Sequence, residues 1–148
     1  MTDFGQPLRN VSKSAVLSVS GWDTDPTDLA NAIDGDLSNP TGIGSTTMGT
    51  WGYAGYLNIE MPAAGRRFYG FKFDVVDPSG FPSVSFQVYS VDAYSVVATI
   101  YGPGTSALGD PGGSVVVFAA AKKTRLGFFA GDAGLFEAQI YDISIYEL

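Results

Sequence analysis

A strict alternation runs through Phe68-Tyr69-Gly70-Phe71-Lys72-Phe73-Asp74-Val75-Val76. From Tyr69 to Val75 the odd-numbered positions carry large apolar side chains, and the even-numbered positions between them carry Gly, Lys and Asp. Successive side chains of a β-strand point to opposite faces, so this period of two predicts a half-buried strand. The sequence Asp-Pro-Ser-Gly at residues 77–80 then predicts a turn.

Similar runs occur on both sides of this strand. Two of them, residues 83–89 and 96–101, also place apolar side chains on one face, which indicates an antiparallel sandwich. Further strands are expected at residues 11–19, 46–51, 53–61, 114–120, 124–129 and 135–148. The last run changes phase, which predicts a β-bulge near Tyr141.

The expected architecture is therefore all-β. We predict a single antiparallel β-sandwich or jelly roll of about eight strands. The domain would cover residues 11–148, preceded by an N-terminal arm at residues 1–10. Residues 37–45 are expected to form a loop, and Thr27 or Asp28 could cap a short helical turn over residues 29–33.

Composition excludes several classes of function. The formal net charge is −7, so binding to nucleic acid or to an anionic membrane surface is disfavoured. The chain has no cysteine and no histidine, which rules out disulfides, thiol nucleophiles and a Ser-His-Asp triad. The first seven residues do not resemble a signal peptide, so we expect a soluble protein made in a cytoplasm.

Three short segments resemble a known family. They are Ala30-Asn31-Ala32-Ile33-Asp34-Gly35-Asp36, Tyr56-Leu57-Asn58-Ile59-Glu60-Met61 after Trp51, and the closing Ile143-Ser144-Ile145-Tyr146-Glu147. In this order they are similar to the discoidin, or galactose-binding-like, β-sandwich. The resemblance implies the same fold and says little about function, because one fold hosts many functions.

The resemblance also implies a structural calcium ion in some members. Carried over to this sequence, its ligands would be Asp34, Asp36, Thr41 and Glu147. Carboxylate and carbonyl oxygens are the ligands that calcium prefers. The alternative is an ordinary Asp-Gly turn without a metal. The expected cofactor is therefore none, or a structural calcium ion.

The resemblance also implies a way to bind sugars, because sugar-binding members of the family use a loop histidine or arginine beside an aromatic platform. This chain has no histidine, so the candidates, all expected to be exposed, are Trp22, Trp51, Tyr53, Tyr94 and Arg66. An aromatic ring can stack on a sugar face while polar neighbours bind its hydroxyls. Alternatively, these residues belong to the core or rim of the sandwich.

The sequence also contains two charged clusters. Five aspartates lie between residues 23 and 36, but nothing shows the opposed pair of carboxylates that glycoside hydrolysis requires. The basic cluster Lys122-Lys123-Thr124-Arg125 is interpreted as a solvated turn before a strand, or as a surface that docks on an acidic neighbour. We therefore expect no enzymatic activity.

Two functions remain. The main prediction is a virion structural protein of a phage or virus: a capsid decoration, cement or tail module, made in the host cytoplasm and located in the virion. Its partners would be other structural proteins, with a homo-oligomer expected, and residues 1–10 and 102–113 would make the contacts. The alternative is a carbohydrate-binding adhesion module outside the cell, with a glycan as partner.

Overall fold

The computed structural model describes residues 8–35, 40–77, 79–80, 83–101 and 115–148. These residues form ten strands: β1 (Arg9–Asn10), β2 (Val16–Ser20), β3 (Thr41–Met48), β4 (Gly52–Glu60), β5 (Arg66–Val76), β6 (Ser83–Ser90), β7 (Ala93–Tyr101), β8 (Val115–Ala120), β9 (Lys123–Ala130) and β10 (Gly134–Glu147). Two short 3-10 helices lie at Ser12–Ser14 and Leu29–Ile33. Neither helix in these ranges is long and apolar enough to cross a membrane.

The strands form two antiparallel five-stranded sheets. Sheet A has the order β1-β10-β5-β8, and β3 also pairs with β10. Sheet B has the order β2-β4-β9-β6-β7. This arrangement confirms the predicted all-β sandwich. The predicted bulge is also present, because the pairing of β10 with β5 shifts between Ile140 and Asp142.

Two strands depart from the prediction. Residues 41–45 of β3 lie in the glycine-rich stretch that was predicted to be a loop, whereas residues 46–48 lie in the strand predicted at 46–51. Pairing with β10 outweighs the low intrinsic strand propensity of the glycines. β1 belongs to the predicted arm, and its residues pair with Glu147 and Tyr146. The other predicted contact segments, residues 1–7 and 102–113, lie outside the described residues.

The core lies between the two sheets. On β5 the odd-numbered side chains from Tyr69 to Val75 are buried, as the alternation predicts. They pack against inward side chains of sheet B, including Phe86 and Phe128. Burying aromatic side chains of this size is the main source of stability in a sandwich.

Sheet B presents its other face to solvent. On β9 the even-numbered residues Leu126 and Phe128 are buried, so the odd-numbered Lys123, Arg125 and Phe129 lie on the outward face. Tyr56 lies on the same face of the neighbouring β4, where it pairs with Gly127. The alternation of the strands thus collects aromatic and basic side chains on one exposed surface.

Two arginines of sheet A, Arg9 on β1 and Arg67 on β5, bind one carboxylate of β10, the strand that lies between them. Arg67 is only 4% exposed, and its Nε and Nη2 atoms lie 3.1 Å and 3.0 Å from Oε2 of Glu147. Arg9 of β1 donates to the other oxygen of Glu147. The hydrogen bond from Arg9, together with the contact from Arg67, holds the pKa of Glu147 below its usual range.

This lowered pKa predicts an acid-dependent loss of stability. Glu147 contributes fully above the pKa of an unfolded glutamate, about 4.3, and its contribution disappears as the pH falls through the lower folded pKa. In urea unfolding at pH 7, 5 and 3, the wild type should therefore lose more stability than Glu147→Gln. Glu137→Gln, an exposed change on the same strand, should follow the wild type. Parallel pH profiles for all three proteins would contradict the prediction.

Candidate functional site

The outward face of sheet B carries a continuous row of rings and cations, which we call the aromatic strip. Each member contacts the next, and most of these contacts join different strands. Its members are Trp51, Phe129, Tyr53, Tyr56, Arg125, Tyr94, Tyr89 and Lys123. The strip combines flat apolar surface with fixed positive charge.

The first half of the strip consists of aromatic rings. Trp51, which is 68% exposed, lies 6.0 Å from Phe129, and Phe129 meets the edge of Tyr53 at 5.2 Å between centroids. Tyr53 stacks on Tyr56 at 5.2 Å. A register shift in β4 between Tyr53 and Gly55 allows both tyrosines, three positions apart, to lie on the same face. Bulges of this kind redirect side chains.

The second half is built around Arg125. Its guanidinium carbon lies 3.8 Å from the ring centroid of Tyr56 and 4.0 Å from that of Tyr94, so the group is held between two tyrosines. Its Nε donates to Oε1 of Gln87 at 2.7 Å. Burial raises the pKa of the Tyr56 hydroxyl, and the charge of Arg125 opposes that rise.

Gln87 is a buried polar residue beneath this face. It is only 3% exposed, and its Nε2 donates to Ser85 Oγ at 3.0 Å and to Tyr53 Oη at 3.4 Å. Both ends of its amide are therefore used, as buried polar groups require. A Cβ on Gly127 would lie 2.6 Å from this nitrogen and 2.9 Å from the ring of Tyr53. Because Gly127 has no Cβ, the side chains of Gln87 and Tyr53 can pack directly against β9.

A groove of about 350 Å³ borders the basic end of the strip. Asn58 donates to Ser20 Oγ at 3.2 Å across this groove, and Lys123 lies 3.7 Å from a carboxylate oxygen of Glu60. Its complete lining is Val16, Ser18, Ser20, Asn58, Ile59, Glu60, Tyr94, Lys123 and Arg125. Hydrogen-bonding groups of both kinds therefore lie beside the rings.

A larger groove of about 820 Å³ lies at sheet A. Arg9, Lys13, Asp34 and Asp142 line it, with Tyr146 as its aromatic side chain. It offers charged groups without a platform of adjacent rings. The aromatic strip is therefore the better developed candidate.

The structure brings three of the five predicted sugar-binding residues together. Trp51, Tyr53 and Tyr94 belong to the strip. Arg66 is exposed on β5, which belongs to the other sheet. Trp22 was expected to be exposed but is half-buried, with its indole N–H donating to the carbonyl of Tyr56 at 3.1 Å.

Five members of the strip are not among the predicted sugar-binding residues. The sequence pattern places Tyr56 in the family motif, and Arg125 and Lys123 in a solvated turn or a docking surface. It places Phe129 and Tyr89 in strands without a role. The odd-numbered alternation along β9 was an available signal, because it places Lys123, Arg125 and Phe129 on one face.

The predicted calcium ligands have other partners where the structure describes them. Glu147 binds Arg9 and Arg67, so a cation would compete with two guanidinium groups. The hydroxyl of Thr41 donates to the carbonyl of Asp28 at 3.1 Å. Asp34 lines the larger groove, and Asp36 lies outside the described residues. These two engaged side chains do not fit a calcium site, and the metal stays a prediction.

The described ranges also contain no group of three or more Asp, Glu, His or Cys residues placed to hold a metal ion. The chemistry of the strip is that of binding. Rings supply apolar contact, Arg125 supplies a fixed charge, and the groove supplies hydrogen bonds.

Neither a protein-family model nor a curated protein matches the sequence. Solved structures do match the fold. The family 32 carbohydrate-binding module of NanJ from C. perfringens, in complex with galactose, aligns with a TM-score of 0.57 at 13% identity. The alignment covers 92% of this chain and 96% of that module. The chain therefore has a β-sandwich fold like that of this module.

Two further modules of this fold bind other sugars. A pectin-binding carbohydrate-binding module aligns with a TM-score of 0.52 at 16% identity, covering 94% of this chain and 91% of its own. The family 32 module of AlyQ, in complex with 4,5-unsaturated mannuronic acid, aligns with a TM-score of 0.54 at 16% identity, covering 90% and 95%. In a longer AlyQ structure, a module of this family is joined to an alginate lyase domain.

These comparisons bear on the two predicted functions differently. They confirm the discoidin-like sandwich as a fold, and they favour the carbohydrate-binding alternative. They give no support to a phage or virus origin, or to a capsid or tail role. The neighbours named above are binding modules, in line with the expectation of a non-enzyme.

Proposed function

We propose that the protein is a non-catalytic carbohydrate-binding module that holds a glycan on the outward face of sheet B. The observation that carries the proposal is the aromatic strip. Rings that could have been buried in the core are instead stacked on one another at the surface, with Trp51 the most exposed of them. Contiguous exposed apolar surface of this kind marks a binding site.

The strip has the chemistry that a sugar requires. The C–H faces of a pyranose ring would pack on the rings of Trp51 and Tyr53. Hydroxyl groups of sugars further along the same chain would reach Asn58 and Glu60 in the adjoining groove. A few polar groups beside an apolar platform give a ligand both affinity and orientation.

The shape of the strip favours a chain over a single sugar. From Tyr53 to Glu60 the residues of β4 extend roughly 20 Å, at about 3.4 Å for each residue less the bulge. A ligand of that length is an extended oligosaccharide. The partner would then be a polysaccharide, and the protein would act where polysaccharides occur, outside the cell or at its surface.

The fold neighbours support this proposal, since separate members bind galactose, 4,5-unsaturated mannuronic acid and pectin. Their identity to this chain is 16% or lower, so the sugar itself must be argued from its own residues.

The proposal predicts that Trp51→Ala weakens glycan binding without unfolding the protein. Loss of one stacked ring should lower affinity roughly 2- to 10-fold, from about 0.5–1.5 kcal/mol. Affinity electrophoresis in gels containing galactan, xylan or polygalacturonate would measure it. Leu135→Ala, which removes an exposed apolar side chain from sheet A, is the matched control. Equal retention of both variants and the wild type in every gel would contradict the proposal.

A further inference from the structure

We infer that the glycan is an acidic polysaccharide and that Arg125 binds a carboxylate group on one of its sugars. This inference rests on the proposed function and concerns the same surface. It comes from Arg125, a cation on the outward face of sheet B that is held in place but forms no ion pair with an acidic side chain of the described residues.

Arg125 is restrained on three sides. Tyr56 and Tyr94 cover the two faces of its guanidinium at 3.8 Å and 4.0 Å, and Oε1 of Gln87 accepts a hydrogen bond from its Nε. The two Nη atoms have no hydrogen bond or ion pair within the described residues. Their N–H groups form a planar edge that is left for a ligand.

The other cations with ionic contacts have their acids within the chain. Arg9 and Arg67 share Glu147, and Lys123 lies near Glu60. Arg125 instead contacts the rings of Tyr56 and Tyr94 and the side-chain amide of Gln87. A stacked guanidinium is weakly hydrated, and its fork of donors matches a carboxylate through two parallel hydrogen bonds.

Gln87 is the positioning residue for this group. Its Oε1 fixes the plane of Arg125, and its Nε2 is held by Ser85 and Tyr53. Because Gln87 is buried, the arrangement exists before a ligand arrives. A preformed cation loses little conformational freedom on binding, which favours recognition of a specific anionic group.

The net charge of −7 does not oppose this assignment. Glu60 is the one acid among the residues lining the groove, against Lys123 and Arg125. At physiological salt the screening length is about 8 Å, so acids on the far sheet have little influence on this face. The residues that line the groove therefore carry a net positive charge.

The test compares polygalacturonate with the same polymer after methyl esterification of its carboxyl groups, by isothermal titration at pH 7. The backbone is unchanged and only the charge is removed. The wild type should bind the free acid about 10-fold or more tightly than the ester, as expected for hydrogen bonds to a charged group. Dextran sulfate forms a third arm, and it should bind more weakly than polygalacturonate because its anion has a different geometry.

Three variants assign the effect to the residue. Arg125→Gln should remove the preference for the free acid, and Arg125→Lys should lose most of it, because Lys keeps the charge without the planar fork. Arg66→Gln removes an equal charge from an exposed site on sheet A and should leave the preference intact. Thermal melts establish that each variant is folded. If a variant does not fold, the wild type alone still tests the preference for the free acid over the ester.

The outcomes separate this inference from the proposed function. Equal binding to the free acid and the ester, or binding to neutral galactan alone, would overturn the inference of an acidic ligand. Glycan binding on the aromatic strip would still be supported. Equal binding to dextran sulfate overturns the carboxylate assignment in favour of general anion attraction. A preference that Arg66→Gln reduces as much as Arg125→Gln also overturns it. No binding to any polysaccharide overturns both.

Discussion

Trp22→Ala is expected to lower the free energy of unfolding by about 3–5 kcal/mol, the range observed for truncation of a packed aromatic side chain. The indole packs against the core although Trp22 lies in the loop between β2 and the 3-10 helix at Leu29–Ile33. Its ring lies 5.5 Å from Phe128 and 6.2 Å from Phe136. Its N–H also satisfies the carbonyl of Tyr56, so the substitution removes a hydrogen bond and opens a cavity together.

Urea unfolding followed by far-UV circular dichroism would measure this loss. The chain has only two tryptophans, and Trp51→Ala is the matched control because its ring is 68% exposed. We expect that control to stay within about 1 kcal/mol of the wild type, as surface changes usually do. Trp22→Ala should therefore lose stability, whereas Trp51→Ala should lose affinity for the glycan. Equal losses of stability would show that the ring of Trp22 is not packed as described.

Gly55→Ala is expected to destabilise the protein by about 1–3 kcal/mol, through overpacking against the same ring. A Cβ at Gly55 would lie 2.3 Å from Cδ2 and Cε2 of Trp22. The indole has no room to move away, since a Cβ built on Gly44 would come within 2.5 Å of Cγ on that ring. Two glycines on different strands thus form the slot that the tryptophan fills.

The control for this prediction is Gly49→Ala, because nothing lies within 4 Å of a Cβ at that position. Combining Gly55→Ala with Trp22→Phe should recover part of the loss, since the smaller ring leaves space for the methyl group. Residues in direct contact show such non-additive effects. Simple addition of the two losses would argue against the slot.

The sequence predicted the sandwich well where one face is buried. On β5 the alternation from Tyr69 to Val75 corresponds to the inward face, and the change of phase near Tyr141 corresponds to a real shift of register. The local pattern did not predict residues 41–45 of β3 as a strand, because the glycines there lower strand propensity. The pairing with β10 that overrides this preference is a long-range contact that local pattern does not contain.

The site was predicted in part for a related reason. Trp51, Tyr53 and Tyr94 were selected as aromatics, but their connection depends on which strands are neighbours. Arg125 meets Tyr94 only because β6 and β7 follow β9 in the sheet. Trp22 was expected to be exposed because the glycines that receive it, Gly44 and Gly55, are distant from it in the sequence.

The position of β10 has a consequence for how the chain assembles during synthesis. All strands of sheet B lie within residues 16–130, so their pairing can be completed before β10 leaves the ribosome. In sheet A, β1 and β3 have β10 as their neighbour and find no partner until β10 emerges. The sheet that carries the aromatic strip can thus form first, and β10, translated after it, completes the pairing of sheet A against its apolar inner face.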